Sequence, residues 1–113
     1  MVNHAPLSNT FAALADPTRR AVVERLARQG EASVSELAFD HDMSLPAFLK
    51  HVRVLEDAGL LTSAKTGRVR RCRLAPRGLA EAERWLHAHR AFWEGQLRSL
   101  DRFLTAPPSI QEP

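Results

Sequence analysis

The sequence predicts a mainly α chain with one small β-hairpin, and three observations between Ser33 and Leu104 predict it. A short helix candidate starting at Ser33 leads through a tight turn into a second helix with a clear start and stop, SLPAFLKHVRVLEDAGL. A two-stranded ribbon follows directly, LLTSAKTGRVRRCRL, whose tip is loaded with arginine. A long helical pattern then runs from Leu79 to about Leu104. Helix, turn, helix and basic hairpin in that order describe a winged helix-turn-helix, closed by a long C-terminal helix suited to dimerisation.

The elements follow from local signals. Ser8 to Ala15 reads as a short helix with Phe11 and Leu14 inward and Leu7 leading in, after a frayed start over residues 1–6. Asp16-Pro17 restarts the chain: Asp16 can accept backbone N–H groups as an N-cap, and Pro17 fits the first helical position, where a missing donor is no loss. The helix from Pro17 to Arg28 would bury Val22, Val23 and Leu26, and Gly30 is placed to end it. At the head of that helix Arg19 and Arg20 oppose the dipole, so a compensating anion is expected, either phosphate or, more locally and in preference, Asp16 or Glu24.

Ser33-Val34-Ser35-Glu36 has the spacing of a capping box, with Val34, Leu37 and Ala38 inward. His41-Asp42-Met43 makes the turn, with Met43 as its apolar plug. Ser44 caps the next helix, Pro46 falls in its first turn, and Phe48, Val52 and Leu55 face the core at helical spacing before Ala58-Gly59 closes it. Leu61 to Lys65 and Val69 to Leu74 alternate as strands about Thr66-Gly67. Period-2 alternation puts Arg70, Cys72 and Leu74 on one face and Arg71 and Arg73 on the other. Leu79, Leu86, Trp93, Leu97, Leu100 and Leu104 then continue as one helix, flanked by Trp85, Phe92 and Phe103. Those aromatic residues exceed what a small core needs, which marks an interface.

At 113 residues the chain has the length of one domain, expected over residues 7–104, with TAPPSIQEP at residues 105–113 as a disordered tail. No apolar run approaches the roughly 18 residues of a membrane span. The N-terminus lacks a basic patch followed by an apolar stretch, and the lone Cys72 excludes an intrachain disulfide framework, so the cytoplasm is the expected compartment. The net charge is +3, yet Lys65 to Arg77 alone holds six cations and no acid. The ten remaining Lys and Arg face all thirteen acids, so the rest of the chain is negative. One basic strip on a slightly acidic body suits phosphate, whose attraction is felt within a Debye length of about 8 Å.

A helix entering the major groove shows base edges the residues near its N-terminus. Those are Ser44, Leu45, Pro46, Ala47, Lys50 and His51, with Arg53 further along. Lys50 and His51 can reach phosphates or purine acceptors, while Leu45, Pro46 and Ala47 offer only apolar contact, for example to thymine methyl groups. His51 could equally pack between helices or touch phosphate. In the wing, Arg68 and Arg70 suit a narrow minor groove, Lys65 comes next, and Arg71 and Arg73 read as solvated charge. Catalytic and metal chemistry find no footing. His87 and His89 are two apart and fall on different helix faces, and Glu83 with His87 reads as a solvated pair. No nucleophile–base pairing or Gly-rich phosphate loop is present, and no cofactor is expected.

FAALADPTRRAVVERLARQGEASVSELA, then MSLPAFLKHVRVLEDAGLL, then KTGRVRRCRL, resembles the ArsR/SmtB family of bacterial transcriptional regulators, over about Phe11 to Leu86. The resemblance implies a homodimeric winged-helix protein that binds double-stranded DNA, with recognition helix Ser44–Gly59 and wing Lys65–Arg73. It also implies a dimer interface on the first and last helices, here Leu7, Phe11, Leu14, Leu86, Trp93, Leu97, Leu100 and Leu104. Metal-sensing members place a cysteine pair in the helix that here reads Val34 to Phe39, and others use Asp, His and Glu on terminal helices; this sequence has neither arrangement. It is similar to a metal-independent branch, with no inducer implied, and Leu49 stands where many members have a serine facing DNA. The expected function is therefore a sequence-specific, homodimeric transcriptional regulator, a repressor before an activator. The competing reading is a protein-binding winged helix whose aromatic C-terminal helix takes a different partner.

Overall fold

The computed structural model describes residues 5–105. In chain order it runs α1 (Ala5–Ala13), α2 (Pro17–Gln29), β1 (Ala32–Ser33), α3 (Val34–Phe39), α4 (Leu45–Asp57), β2 (Leu61–Thr66), β3 (Val69–Leu74), α5 (Pro76–Ala88) and α6 (Arg90–Thr105). The chain divides between Ala82 and Glu83 into two compact units.

In the first unit the helix starts form as their residues dictate. Asp16 accepts the Arg19 N–H at 3.0 Å with Pro17 at the head of α2. The capping box is complete: Ser33 Oγ accepts the Glu36 N–H at 3.1 Å, and Glu36 Oε1 accepts the Ser33 N–H at 2.8 Å. Those backbone donors hold both the Asp16 and the Glu36 carboxyls below their ordinary pKa. Ser44 caps α4 through the Ala47 N–H at 3.2 Å.

The core collects Val22 and Leu26 from α2, Leu37 from α3, Phe48, Val52 and Leu55 from α4, and Leu60, Leu61 and Cys72 from the sheet region, with Met43 packed against it from the turn. Phe48 is wholly buried, so truncating it to Ala should cost about 3–5 kcal/mol. The start of α5 is pinned to the end of α4, where Gly78 N–H donates to the Gly59 carbonyl at 3.0 Å.

The structure corrects the sequence reading in three places. The first helix is Ala5–Ala13 rather than Ser8–Ala15. Its inward residues are Thr10 and Ala13, while Phe11 remains 38% exposed. Thr10 tolerates burial because its hydroxyl donates to the Pro6 carbonyl at 3.1 Å. Leu14 packs against the core from just beyond the helix end.

Second, the hairpin is part of a three-stranded sheet of order β1-β3-β2. Ala32 pairs with Cys72 and Ser33 with Arg71, so the capping residue of α3 also closes a sheet edge. Within the hairpin Thr66 pairs with Val69, which leaves Gly67 and Arg68 as the loop, and Gly67 takes φ 65°. A two-residue hairpin turn demands that left-handed backbone, which glycine adopts without steric cost.

Third, the long terminal helix is two helices, interrupted at His89 in the second unit. The His89 N–H is shared between the Trp85 and Leu86 carbonyls at 3.2 Å each. Its imidazole Nδ1 also takes the Trp85 carbonyl at 2.8 Å, with the ring stacked on Trp85 at 4.4 Å. A side chain competing for an i−4 carbonyl tightens the turn and breaks the ladder. No residue of α6 is buried. Residues 1–4 and 106–113, which include the start of the expected frayed end and nearly all of the expected tail, lie outside the described residues.

Candidate nucleic-acid interface

Helix α4 presents four faces with different work. Phe48, Val52 and Leu55 point into the core. Pro46, Lys50 and Arg53 recur at i, i+4 and i+7, so they line one ridge, and all three are exposed. Leu45 and Leu49 flank it on the side of the hairpin, while Ala47 and His51 lie on the opposite flank and are half-buried. Ser44 is exposed, its hydroxyl occupied by capping.

His51 is tied down locally. Its Nδ1 lies 3.0 Å from Arg19 Nη1 and 3.8 Å from Asp16 Oδ2. Arg19 in turn donates from Nε to the Ala13 carbonyl at 2.7 Å and from Nη2 to Ala12 at 3.3 Å, while Arg20 reaches Leu14 at 2.8 Å. The two arginines thus satisfy the open carbonyls at the end of α1, where the helix dipole favours cations. The expected local anion is there as well, since the Asp16 carboxylate accepts the Arg19 N–H and feels its charge, but the carbonyls at the end of α1 are not foreseen from the sequence. Nothing local announces the contact, because it depends on how α1 meets α2.

The wing cations fall into two groups. Arg71 Nε pairs with Glu31 Oε2 at 3.1 Å and Arg73 Nη2 with Glu31 Oε1 at 3.8 Å, so these outer-face arginines are partly neutralised rather than simply solvated. Among the described residues Lys65 and Arg68 have no ion pair. Arg70 is held by a relay: its Nη1 donates to Ser63 Oγ at 2.9 Å, and Ser63 Oγ donates to Glu56 Oε2 at 2.8 Å. Ser63 and Glu56 are residues that sequence reading does not single out, because only hairpin register brings them beside Arg70.

Leu45 and Leu49 of α4 meet Lys65, Arg68, Val69 and Arg70 of the wing, and Ser33, Val34 and Ser35 at the start of α3, around one cleft of about 520 Å³. Leu45 is 50% and Val69 44% exposed. No carboxylate among the described residues lines this cleft. An exposed ridge that carries Lys50 and Arg53, and a cleft that Leu45 and Leu49 share with the cations of the wing, therefore lie on neighbouring faces of α4.

A family model described as a helix-turn-helix domain matches residues 14–64. An HTH-type transcriptional regulator of Mycobacterium tuberculosis is 50% identical over 68 residues, covering 60% of this chain and 63% of that one. The arsenical resistance operon repressor of Escherichia coli is 38% identical over 66 residues, covering 58% of this chain and 56% of its own. A crystal structure of an ArsR family transcriptional regulator matches with TM-score 0.75 at 47% identity, over 82% of this chain and 95% of that one. This chain belongs to the ArsR family of transcriptional regulators.

The match spans less than two thirds of the length of either curated relative. Fold and family are those of a winged-helix transcriptional regulator, and no helix of the described residues is long and apolar enough to cross a membrane. The donor set of this ArsR-family chain does not fit a thiolate metal centre. Helix α3 has no cysteine, and burial pushes the Cys72 thiol up to about 11, keeping it protonated. Among the described residues no group of three or more His, Cys, Asp or Glu is placed to hold a metal ion.

Of the residues expected at a dimer interface, Phe11, Leu86, Trp93, Leu97, Leu100 and Leu104 are exposed, and Leu7 and Leu14 are half-buried. Along α6 itself, Trp93, Leu97, Leu100 and Leu104 recur at helical spacing. Phe92 meets Trp93 edge to face at 5.2 Å.

Proposed function

We propose that this regulator is a homodimeric, sequence-specific DNA-binding repressor, acting through one domain over residues 7–104. The N-terminal half of α4, from Ser44 to Arg53, enters the major groove, and Arg68, Arg70 and Lys65 of the wing enter the flanking minor groove. The observation that carries this reading is the shared exposure of the Pro46–Lys50–Arg53 ridge and a wing tip whose cations, among the described residues, lack ion-pair partners. The repressor assignment is supported by the name of the Escherichia coli relative.

Dimerisation is supported by the exposed Trp93–Leu97–Leu100–Leu104 stripe, since an isolated amphipathic helix of this length needs an apolar partner to be stable. With half-sites about 34 Å apart, two copies would read a pseudo-palindrome.

The test is binding of the full chain to its own upstream DNA and to a scrambled duplex, followed by anisotropy from low salt to about 150 mM. A preference for the native duplex that survives at the higher salt, from a protein that sediments as a dimer, is expected. Equal binding that collapses with salt, from a monomer, would overturn the reading and leave the aromatic stripe for a different protein partner.

A further inference from the structure

The Arg19 guanidinium is fixed by α1 before it meets α4. Its Nε donates to the Ala13 carbonyl at 2.7 Å and its Nη2 to the Ala12 carbonyl at 3.3 Å, and in a planar fork those two bonds set the direction of Nη1. Nη1 lies 3.0 Å from His51 Nδ1. Since a guanidinium only donates, Nδ1 accepts and the ring proton stands on Nε2. The Asp16 carboxylate also faces the ring, but its Oδ2 is 3.8 Å from Nδ1, beyond hydrogen-bond reach, and accepts the Arg19 N–H instead.

Nε2 is the end left open. Among the described residues no buried side-chain nitrogen or oxygen lacks a hydrogen-bond partner. His51 is half-buried and its Nε2 bonds to none of the described residues, so the Nε2–H reaches solvent. A helix in the major groove runs between two sugar–phosphate strands. Leu45 and Leu49 give one flank of α4 to the wing, and Ala47 and His51 form the other. We propose that Arg19 is a positioning residue for DNA binding: it holds the neutral His51 imidazole in one tautomer and aims Nε2–H at a phosphate of the strand remote from the wing. The inference rests on the DNA-binding reading above. The sequence leaves helix packing and phosphate contact as alternatives for His51; the two ring nitrogens divide them.

Such a donor differs from the wing cations in its response to salt. An uncharged imidazole neutralises no phosphate, so it adds affinity without adding to the salt slope. A ring fixed in advance also avoids the cost of ordering it on binding.

Two measurements on the full chain at mildly alkaline pH test this. With isotope-labelled histidine, nitrogen NMR should show His51 protonated at Nε2 and unprotonated at Nδ1, the signals being assigned by their loss in His51→Ala. In Arg19→Met the two nitrogens should shift towards each other as the second tautomer gains population. The other measurement scans the native upstream duplex with neutral methylphosphonate linkages, one at a time. One linkage per half-site, on the strand remote from the wing, should weaken wild-type binding about tenfold. His51→Ala and Arg19→Met should each lose most of that penalty and keep the penalties at wing linkages. The penalty is a ratio of affinities within one protein, so partial unfolding cancels. His51→Ala should itself bind about tenfold more weakly at an unchanged salt slope.

A wild-type ring protonated at Nδ1, or a slope lower by about 0.9 in His51→Ala, would overturn the proposal, because the contact would then be that of an imidazolium. Both readings stand whether or not Arg19→Met folds. A penalty lost in His51→Ala but kept in Arg19→Met would leave Arg19 a structural residue only. A scan that is flat on that strand, in a protein that still prefers the native duplex, would overturn the phosphate contact and leave the regulator reading intact. Loss of preference for the native duplex in the wild type would overturn both.

Discussion

Arg19 Nη1 lies 3.0 Å from His51 Nδ1, joining the first turn of α2 to the middle of α4. A guanidinium can only donate, so Nδ1 accepts and the hydrogen-bond network assigns the ring proton to Nε2. The same guanidinium closes the C-terminus of α1 through Ala13 and Ala12. Three helices therefore meet on one side chain. Arg19→Ala should destabilise the fold by about 1–3 kcal/mol, read as a lowered urea midpoint at unchanged slope. Arg19→Lys should recover little of it, because a point charge cannot serve three acceptors in a plane. A wild-type midpoint for Arg19→Ala would show that water replaces these hydrogen bonds.

The wing should respond according to which cations already have partners. Arg68→Ala with Arg70→Ala is expected to weaken binding to every duplex and to lower the salt slope by about 0.9 for each phosphate no longer neutralised. Arg71→Ala, whose guanidinium sits on Glu31, should leave the slope nearly unchanged. Lys50→Ala should instead alter sequence preference. An unaltered slope in the double variant would remove the wing from the DNA interface.

Gly78 is a packing requirement. A Cβ there would lie 2.8 Å from the Gly59 carbonyl oxygen and 2.9 Å from that of Ala58, both backbone atoms that cannot swing aside. Gly78→Ala should therefore separate α5 from the end of α4, at a cost of about 1–3 kcal/mol in thermal or urea unfolding. The same change at Gly95, which meets nothing within 4 Å, is the control and should be neutral or slightly stabilising.

Cys72 predicts an alkaline limb in the stability profile. Burial, followed by the nearby Glu56 carboxylate, raises its thiol from 9.0 to about 11. A group whose folded pKa lies above its unfolded value lends full stability below the unfolded value and loses it as pH rises. Stability should thus fall between about pH 9 and 11 as the unfolded chain ionises first. Urea midpoints at pH 8 and 10.5 should diverge more in the wild type than in Cys72→Ala. In native conditions the thiol should also alkylate far more slowly than in urea.

Much of the first unit is legible because its signals are short-range. The Ser33–Glu36 box, the Asp16 and Ser44 caps, Pro17, and the glycine at the hairpin loop each act within about one turn, so a window of a few residues contains the whole interaction. The winged helix-turn-helix class follows from their order. Reading the chain for apolar periodicity misses the break at His89, because the apolar stripe continues straight through it while the polar competition for the Trp85 carbonyl does not register in that pattern.

The sequence by itself determined the helix starts, the core stripe Phe48–Val52–Leu55, the hairpin and the concentration of positive charge in it. Tertiary structure decided the contacts that join distant segments: β1 on β3, where Ala32 meets Cys72, Arg19 on His51, and Arg70 on Ser63 and Glu56. It also decided which cations are spent on Glu31 and which remain open beside Leu45 and Val69. The physical reason is separation along the chain. A cap or a turn is closed by neighbours whose positions the backbone already constrains, whereas a partner tens of residues away is set only when the core packs and brings the two segments together.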